Sequence, residues 1–155
     1  MNRTRLKADA EYPVLNSFFM SKNLFSTGYS ASAFNLVLFI LRVGSGILMI
    51  HHGYDKLVKF NEYAPNFTHF LGMSGAVSLA MVVFAEFFCS IFVMLGLFTR
   101  LACIPLMIDT FVAVAKGHKY DILGDGEHAS LFFLIFLTIL FIGPGKISVD
   151  GMINK

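Results

Sequence analysis

The sequence of 155 residues contains no tryptophan, only two cysteines and four prolines, and few charged residues, which make up 14% of the chain. Soluble domains carry about 25% charged residues, so this chain lacks the polar surface that a folded protein needs in water. The net charge is only +2 and no basic run is present, which argues against nucleic-acid binding. Cys89 and Cys103 form no Cys-x-x-Cys pair and lie in apolar segments, which predicts two buried thiols.

The chain is instead rich in hydrophobic residues, at 56%, and they gather in four stretches over residues 31–50, 75–98, 101–115 and 129–142. About 20 apolar helical residues cross about 30 Å of hydrocarbon, a length that the first two stretches reach. The other two reach it only if polar residues at their ends, such as Arg100 and Glu127, lie at the membrane interface. Because no stretch has a polar stripe that could face water, we predict an all-α, membrane-embedded, antiparallel four-helix bundle over residues 31–155.

The connections between the stretches support this organisation. Residues 97–100 leave room only for a tight turn, which predicts an antiparallel hairpin, and Gly143-Pro144-Gly145 should end the fourth helix. Residues 1–30 form an N-terminal arm in which aromatic and polar residues alternate. This arm fits an amphipathic helix on the membrane surface and a partner-binding segment equally well. Acidic residues and a proline stand where a signal peptide would become apolar, so we expect the first membrane segment to be retained.

The distribution of basic residues predicts the orientation. With the N-terminus inside, seven Lys and Arg residues fall on the inner side and four on the outer side. The excess of positive charge in cytoplasmic segments then places both termini of a multi-pass membrane protein in the cytoplasm.

Each apolar stretch carries ionisable residues at or inside it: Arg42, Glu86, Asp109, and Glu127 followed by His128. A charge near the bilayer centre costs at least about 2.5–3.5 kcal/mol, so it normally faces the bundle and finds a partner. The obvious pair is Arg42 with Glu86. At 100° per residue, Lys56 lies within about 40° of Arg42 and His52 about 80° away, whereas His51 lies on the opposite side.

These positions predict a pocket that opens at the outer face and reaches the midplane, suited to an anionic or quinone-like head group or to a proton path. The candidate ligand-binding or proton-transfer residues are Arg42, His52, Lys56, Glu86, Asp109 and Glu127. A purely structural role stays open for each of them, since a buried ion pair can simply fix which helices pack together. The histidine spacing does not favour a metal site, and haem ligation by His52 and His128 is a weak alternative.

The pattern resembles the DoxX family of small bacterial membrane proteins. The resemblance lies in Leu41-Arg42-Val43-Gly44 with His52-Gly53-Tyr54-Asp55-Lys56, in Glu86 followed by 95–102, in Asp109, in Gly126-Glu127, and in Gly143-Pro144-Gly145-Lys146 with Ser148 and Asp150. The resemblance covers residues 34–150 and implies a four-helix protein of the bacterial cytoplasmic (inner) membrane. Some members are linked with a thiosulfate:quinone oxidoreductase and others with membrane-associated redox complexes, which implies a role for the six polar positions without naming the reaction.

Two functions follow as hypotheses, and a small transporter is a weaker third. The first is a membrane subunit of a redox system that binds a quinone; the sequence contains no cofactor motif, so electrons would come from a partner. The second is a non-enzymatic scaffold subunit of a larger membrane complex, since 18 phenylalanines offer wide packing surfaces. The expected partners are the lipid bilayer and either other membrane subunits or further copies of the chain.

Overall fold

A computed structural model describes residues 28–117 and 120–153, and every regular element in these ranges is helical. The N-terminal arm predicted over residues 1–30 therefore lies almost wholly outside the described residues. The helices are α1 (Ala31–Val58), α2 (Phe60–Tyr63) with a 3-10 turn (Ala64–Asn66), α3 (Gly75–Leu95), α4 (Thr99–Val112) with a π-helical turn (Ala113–Gly117), α5 (Glu127–Ile142) and α6 (Val149–Ile153).

The chain divides into two units, residues 1–37 and residues 38–155. In the first unit, the described residues are the start of α1 and the three residues before it. The Tyr29 ring lies 5.8 Å from the Phe34 ring, and the Asn35 side chain donates a hydrogen bond of 2.7 Å to the Ala31 carbonyl. The second unit contains the rest of α1 and all the later helices.

Two helices of the described chain, α1 and α3, are long and apolar enough to cross a membrane. The two later helices begin at the polar residues that were expected to extend them, since α4 starts at Thr99 and α5 at Glu127. The all-α prediction is confirmed for the residues that the structure describes, whereas the four-helix membrane bundle, with α4 and α5 crossing the membrane, stays a prediction.

Glycines allow α1 and α3 to approach each other closely. A Cβ atom added to Gly46 would lie 2.9 Å from Met94 Cβ, and one added to Gly53 would lie 2.6 Å from the Phe87 backbone nitrogen. Because Gly46 faces the later residue of α3 and Gly53 the earlier one, the two helices run antiparallel. Small residues at such contacts are typical of helix packing in membranes.

The core lies where the helices meet, and it contains both cysteines. Its buried members are Met49 from α1, Cys89 and Val93 from α3, Ala102, Cys103 and Leu106 from α4, and Phe136 and Ile139 from α5. The prediction of two buried thiols is confirmed, since Cys89 and Cys103 are free and buried.

The predicted end of the fourth stretch at Gly143 is confirmed, whereas α3 ends at Leu95, three residues before the predicted end at residue 98. Helix α3 stops at Gly96, which adopts a left-handed conformation with φ +73°, and α5 stops before Gly143, with φ +95°. Only glycine adopts such angles without strain. The Asp150 carboxylate accepts hydrogen bonds from the backbone N–H groups of Phe98 (2.8 Å) and Thr99 (2.9 Å), so it caps the start of α4.

Candidate functional site

Helix α3 is not a regular α-helix where it carries its acidic residue. The segment Phe84–Cys89 is π-helical, and Glu86 lies inside it. A π-helical turn inserts an extra residue, which changes the direction of the side chains, and such turns occur frequently at functional sites. A second π-helical segment, Ala113–Gly117, follows α4 and carries Lys116. Pro105 interrupts the hydrogen bonding inside α4 between these two points.

Glu86 forms an ion pair with Lys56 from the last turn of α1. The Lys56 ammonium nitrogen lies 2.6 Å from Glu86 Oε1 and 2.5 Å from Oε2, so both carboxylate oxygens accept from it. The Glu86 side chain is 9% exposed and that of Lys56 is 26% exposed. Burial of a carboxylate costs desolvation free energy, which a nearby cation offsets. The ion pair with Lys56 therefore accounts for a charged Glu86 inside the helix.

Asp109 of α4 lies beside the ion pair. Its carboxyl group is within hydrogen-bonding reach of the Glu86 carboxyl group, and the Lys56 charge acts on it as well. A hydrogen bond between two carboxyl groups requires a proton on one of them, because an ionised carboxylate only accepts. One proton held between the two carboxyl groups would leave one ammonium facing one carboxylate. We call Lys56, Glu86 and Asp109 the carboxyl cluster.

The carboxyl cluster lies on the wall of a cavity of about 750 Å³ between α3 and α4, which we call the apolar cavity. Both π-helical segments and Pro105 contribute to its wall. Apart from the three cluster residues, Lys116, Ser78 and Thr68, its lining is apolar: Phe67, Phe70, Val77, Ala80, Met81, Val82, Phe84, Ala85, Pro105, Ile108, Val112 and Ala113.

The loop that contains Phe67, Thr68 and Phe70 forms one wall of the apolar cavity, and it is hydrogen-bonded to a serine of α3. The backbone N–H of Phe70 donates a hydrogen bond of 3.0 Å to the hydroxyl of Ser78, a buried residue in the first turns of α3. The Lys116 ammonium lies 5.8 Å from the centre of the Phe70 ring, a cation–π distance. These two contacts bring the loop and the end of α4 together at the cavity.

A second cavity, of about 620 Å³, lies at the end of α1 and has a different character. Six of its lining residues are ionisable, and Lys56 and Phe67 line both cavities. We call it the polar cavity, and its lining is His51, His52, Asp55, Lys56, Glu62, Tyr63, Asn66 and Phe67.

The predicted pair of Arg42 with Glu86 is wrong. Arg42 is buried and donates its hydrogen bonds to main-chain carbonyl oxygens: to Val93 at 3.0 Å, to Ile147 at 3.1 Å, to Met94 at 3.5 Å, and to Pro144. Because α1 and α3 are antiparallel, Arg42 lies beside the end of α3, whereas Glu86 lies near its middle. We call Arg42 with these carbonyl groups the carbonyl cluster.

The remaining two candidates lie outside the apolar cavity. His52 is exposed, lines the polar cavity, and its ring lies 6.3 Å from the Phe132 ring. Glu127 is an exposed residue in the first turn of α5 and lines neither cavity. Of the six candidates, the structure therefore assembles Lys56, Glu86 and Asp109.

Sequence reasoning missed two parts of the site. Lys116 stood outside the candidate set, although it follows Asp109 by seven residues, a spacing that brings both to one helix face. The polar cavity was not predicted, because His51 was assigned to the side of α1 opposite Arg42 and Tyr63 belongs to α2, a short helix that the sequence did not predict. Among the described residues, no three His, Cys, Asp or Glu side chains are placed to hold a metal ion.

Comparisons with known proteins identify the family of this chain. The DoxX family profile matches residues 37–119, a range that includes the carboxyl cluster, Arg42 and Lys116. An uncharacterized protein of Haemophilus influenzae is 35% identical over 76% of this chain and 91% of its own length. An uncharacterized membrane protein of Mycobacterium tuberculosis is 28% identical over 74% of this chain and 80% of its own. No solved structure matches. The chain belongs to the DoxX family of membrane proteins.

Proposed function

We propose that this chain is the membrane subunit of a redox system and binds a quinone in the apolar cavity. The observation that carries the proposal is a pair of neighbouring carboxyl groups, Glu86 and Asp109, with the Lys56 ammonium bound to Glu86, on the wall of a large apolar cavity. Ligand sites are commonly apolar clefts of about 300–1,000 Å³ with a few polar groups that fix the orientation of the ligand. The apolar cavity fits this description in volume and in lining.

The chemistry of the cluster suits the ligand. When bound, a quinone accepts two electrons and two protons, and its carbonyl oxygens accept hydrogen bonds. The Lys56 ammonium and the protonated member of the carboxyl pair are donors for such an oxygen, and the pair can hold or release a proton. Phenyl and aliphatic side chains of α3 and α4 would pack against the ring and the isoprenoid tail. The electrons would come from a partner subunit or a soluble donor.

The proposal includes four membrane crossings with both termini in the cytoplasm. Helix α4 and its π-helical turn together contain enough residues for about 28 Å, and the 16 residues of α5 for about 24 Å. The bilayer can adapt to the shorter helix by local thinning. A reporter active only in the cytoplasm should be active when fused after residue 155 and inactive when inserted at Gly124. Activity at both positions would contradict this topology.

The binding test compares two Glu→Gln variants in quinone-free lipid nanodiscs. A short-chain quinone is titrated and its dissociation constant is measured by equilibrium dialysis. Glu86→Gln removes the anionic member of the cluster and should weaken binding by about tenfold or more, equivalent to about 1.4 kcal/mol or more. Glu127→Gln makes the same chemical change outside both cavities and should bind like the wild type.

Two results would contradict the quinone assignment. Wild-type protein that binds no quinone under these conditions would exclude it, and so would equal affinities of the wild type and Glu86→Gln. If stoichiometric partner proteins were then recovered from native membranes, the scaffold function would be favoured instead.

A further inference from the structure

The polar cavity contains the groups that exchange protons most readily near neutral pH. Two imidazole groups line it, His51 and His52, and both residues are exposed. Histidine is the side chain that most often shuttles protons in this pH range. Glu62 lies on the same wall and is exposed as well. The cavity therefore has the lining of a place where water delivers protons.

Asp55 also lines the polar cavity, but its carboxylate is already engaged. The Tyr63 hydroxyl donates to it at 3.0 Å, and the Lys59 ammonium lies 2.6 Å from its other oxygen. These contacts fix the side of the cavity formed by the end of α1 and by α2. They leave the two imidazoles and Glu62 as the groups free to exchange protons with water across the cavity.

Lys56 lies between the two cavities. It lines both of them, and its ammonium group contacts both oxygens of Glu86. The groups that face the carboxyl pair are Lys56 from α1 and, on the same cavity wall, Lys116 from the segment after α4. Lys56 alone of these two also reaches the polar cavity. Lys56 therefore provides the connection between the polar cavity and Glu86.

We propose that the polar cavity is the proton access route of the carboxyl pair, with Lys56 as the relay between them. In this route Lys56 gives a proton to Glu86 and regains one from water or an imidazole in the polar cavity. Glu86 then passes its proton to Asp109 as that residue releases its own into the apolar cavity. One proton moves in total, no electron is transferred, and every group returns to its starting charge. Only the final acceptor, a quinone, rests on the proposed function.

The test blocks each cavity separately with a bulky thiol reagent. Asn66→Cys places a thiol on the wall of the polar cavity only, and Thr68→Cys places one on the wall of the apolar cavity only. Both positions are exposed, whereas the native cysteines are buried and should not react. Mass spectrometry confirms that each variant is fully labelled at one site.

The readout is the rate at which the protonated carboxyl group exchanges its proton in D₂O, followed by its infrared C=O band in quinone-free protein. Loss of that band in Asp109→Asn assigns it to the pair. Labelled Asn66→Cys should slow the exchange by about tenfold or more, equivalent to about 1.4 kcal/mol or more on the barrier. Labelled Thr68→Cys should exchange like the unlabelled protein.

The outcomes separate this proposal from the proposed function. Slower exchange in labelled Thr68→Cys alone, or unchanged exchange in both labelled variants, would overturn the access route. Quinone binding is measured on the same samples, and the label at Thr68→Cys should weaken it. If the label at Asn66→Cys slows exchange while no variant binds quinone, the access route stands and the quinone assignment falls.

Discussion

The carbonyl cluster and the carboxyl cluster both place charge inside apolar helices, and they satisfy it in different ways. Arg42 is 1% exposed, and its hydrogen bonds within the described residues go to main-chain carbonyl oxygens near the end of α3 and in the chain after α5. Glu86 and Asp109 contact other ionisable side chains and line a cavity of about 750 Å³. Fourteen residues of α1 separate Arg42 from Lys56, so the clusters lie about 21 Å apart along that helix.

Burial of a charge therefore does not by itself mark a functional site. The Arg42 guanidinium group donates to carbonyl groups of α3 and of the chain after α5, and one of them, the Val93 carbonyl, also accepts from the Gly96 N–H. These hydrogen bonds connect α1 to α3 and to the chain after α5. The carboxyl cluster instead has groups that can change protonation and a space in which a ligand fits. Variants of both clusters can show whether the carbonyl cluster is structural and the carboxyl cluster functional.

Replacement of Arg42 should have the largest effect on stability. Arg42→Met removes every hydrogen bond of the carbonyl cluster and should lower the free energy of unfolding by about 3–5 kcal/mol. Unfolding by dodecyl sulfate in mixed micelles, followed by circular dichroism, measures this loss. Arg42→Lys keeps the charge without the planar fork and should recover only part of it. A stable Arg42→Met protein that no longer binds quinone would show that the division between the clusters is wrong.

A comparison of two glycines tests how tightly the carbonyl cluster is packed. A Cβ atom at Gly96 would lie 2.5 Å from Ser148 Cβ and 2.8 Å from Arg42 Cζ, at a left-handed φ of +73°. Gly96→Ala should therefore lower the free energy of unfolding by about 2–4 kcal/mol. At Gly44 nothing lies within 4 Å of the added atom, so Gly44→Ala should raise stability by about 0.5–1 kcal/mol. Equal effects in the same unfolding assay would contradict the tight packing around Arg42.

The four longer helices could be predicted from the sequence, because their signals are local, but α1 continues eight residues beyond the predicted stretch and the short helices α2 and α6 were not predicted. Apolar runs gave the helices, and glycine with proline gave the end of α5 at Ile142. The predicted fourth stretch started at residue 129, two residues after the observed start at Glu127. Such signals need no knowledge of distant contacts.

The partners of the charged residues could not be predicted, for two physical reasons. Arg42 binds carbonyl oxygens, which every residue supplies, so no residue type marks its partners in the sequence. Glu86 lies in a π-helical segment, where a rotation of 100° per residue does not hold. The face calculation nevertheless selected Lys56, which pairs with Glu86 rather than serving Arg42. Tertiary structure decided between partners that helix geometry alone left open.

Stability and binding should separate in the carboxyl cluster. Lys56→Met leaves Glu86 without its cation and should lower the free energy of unfolding by about 1–2 kcal/mol, reduced by the partial exposure of Lys56. The double variant Lys56→Met with Glu86→Gln removes both charges and should recover most of that loss. Its quinone affinity should stay at least as weak as that of Glu86→Gln. Additive losses of stability in the double variant would instead assign the pair a structural role.

The smallest effect is expected at Asp150, where it depends on pH. Partial burial raises the pKa of this carboxyl group, but hydrogen bonds from Thr99 and Phe98 outweigh that and hold its pKa below the usual range. The unfolded chain therefore binds more protons than the folded one below about pH 4, so stability falls as pH drops through the folded-state pKa and is fully present above about pH 5. Asp150→Asn keeps an acceptor oxygen but loses the charge, and should cost about 0.5–1 kcal/mol at neutral pH. Unfolding curves between pH 2 and 7 should show a shallower acid slope for this variant. An unchanged slope would mean that the cap on α4 does not depend on charge.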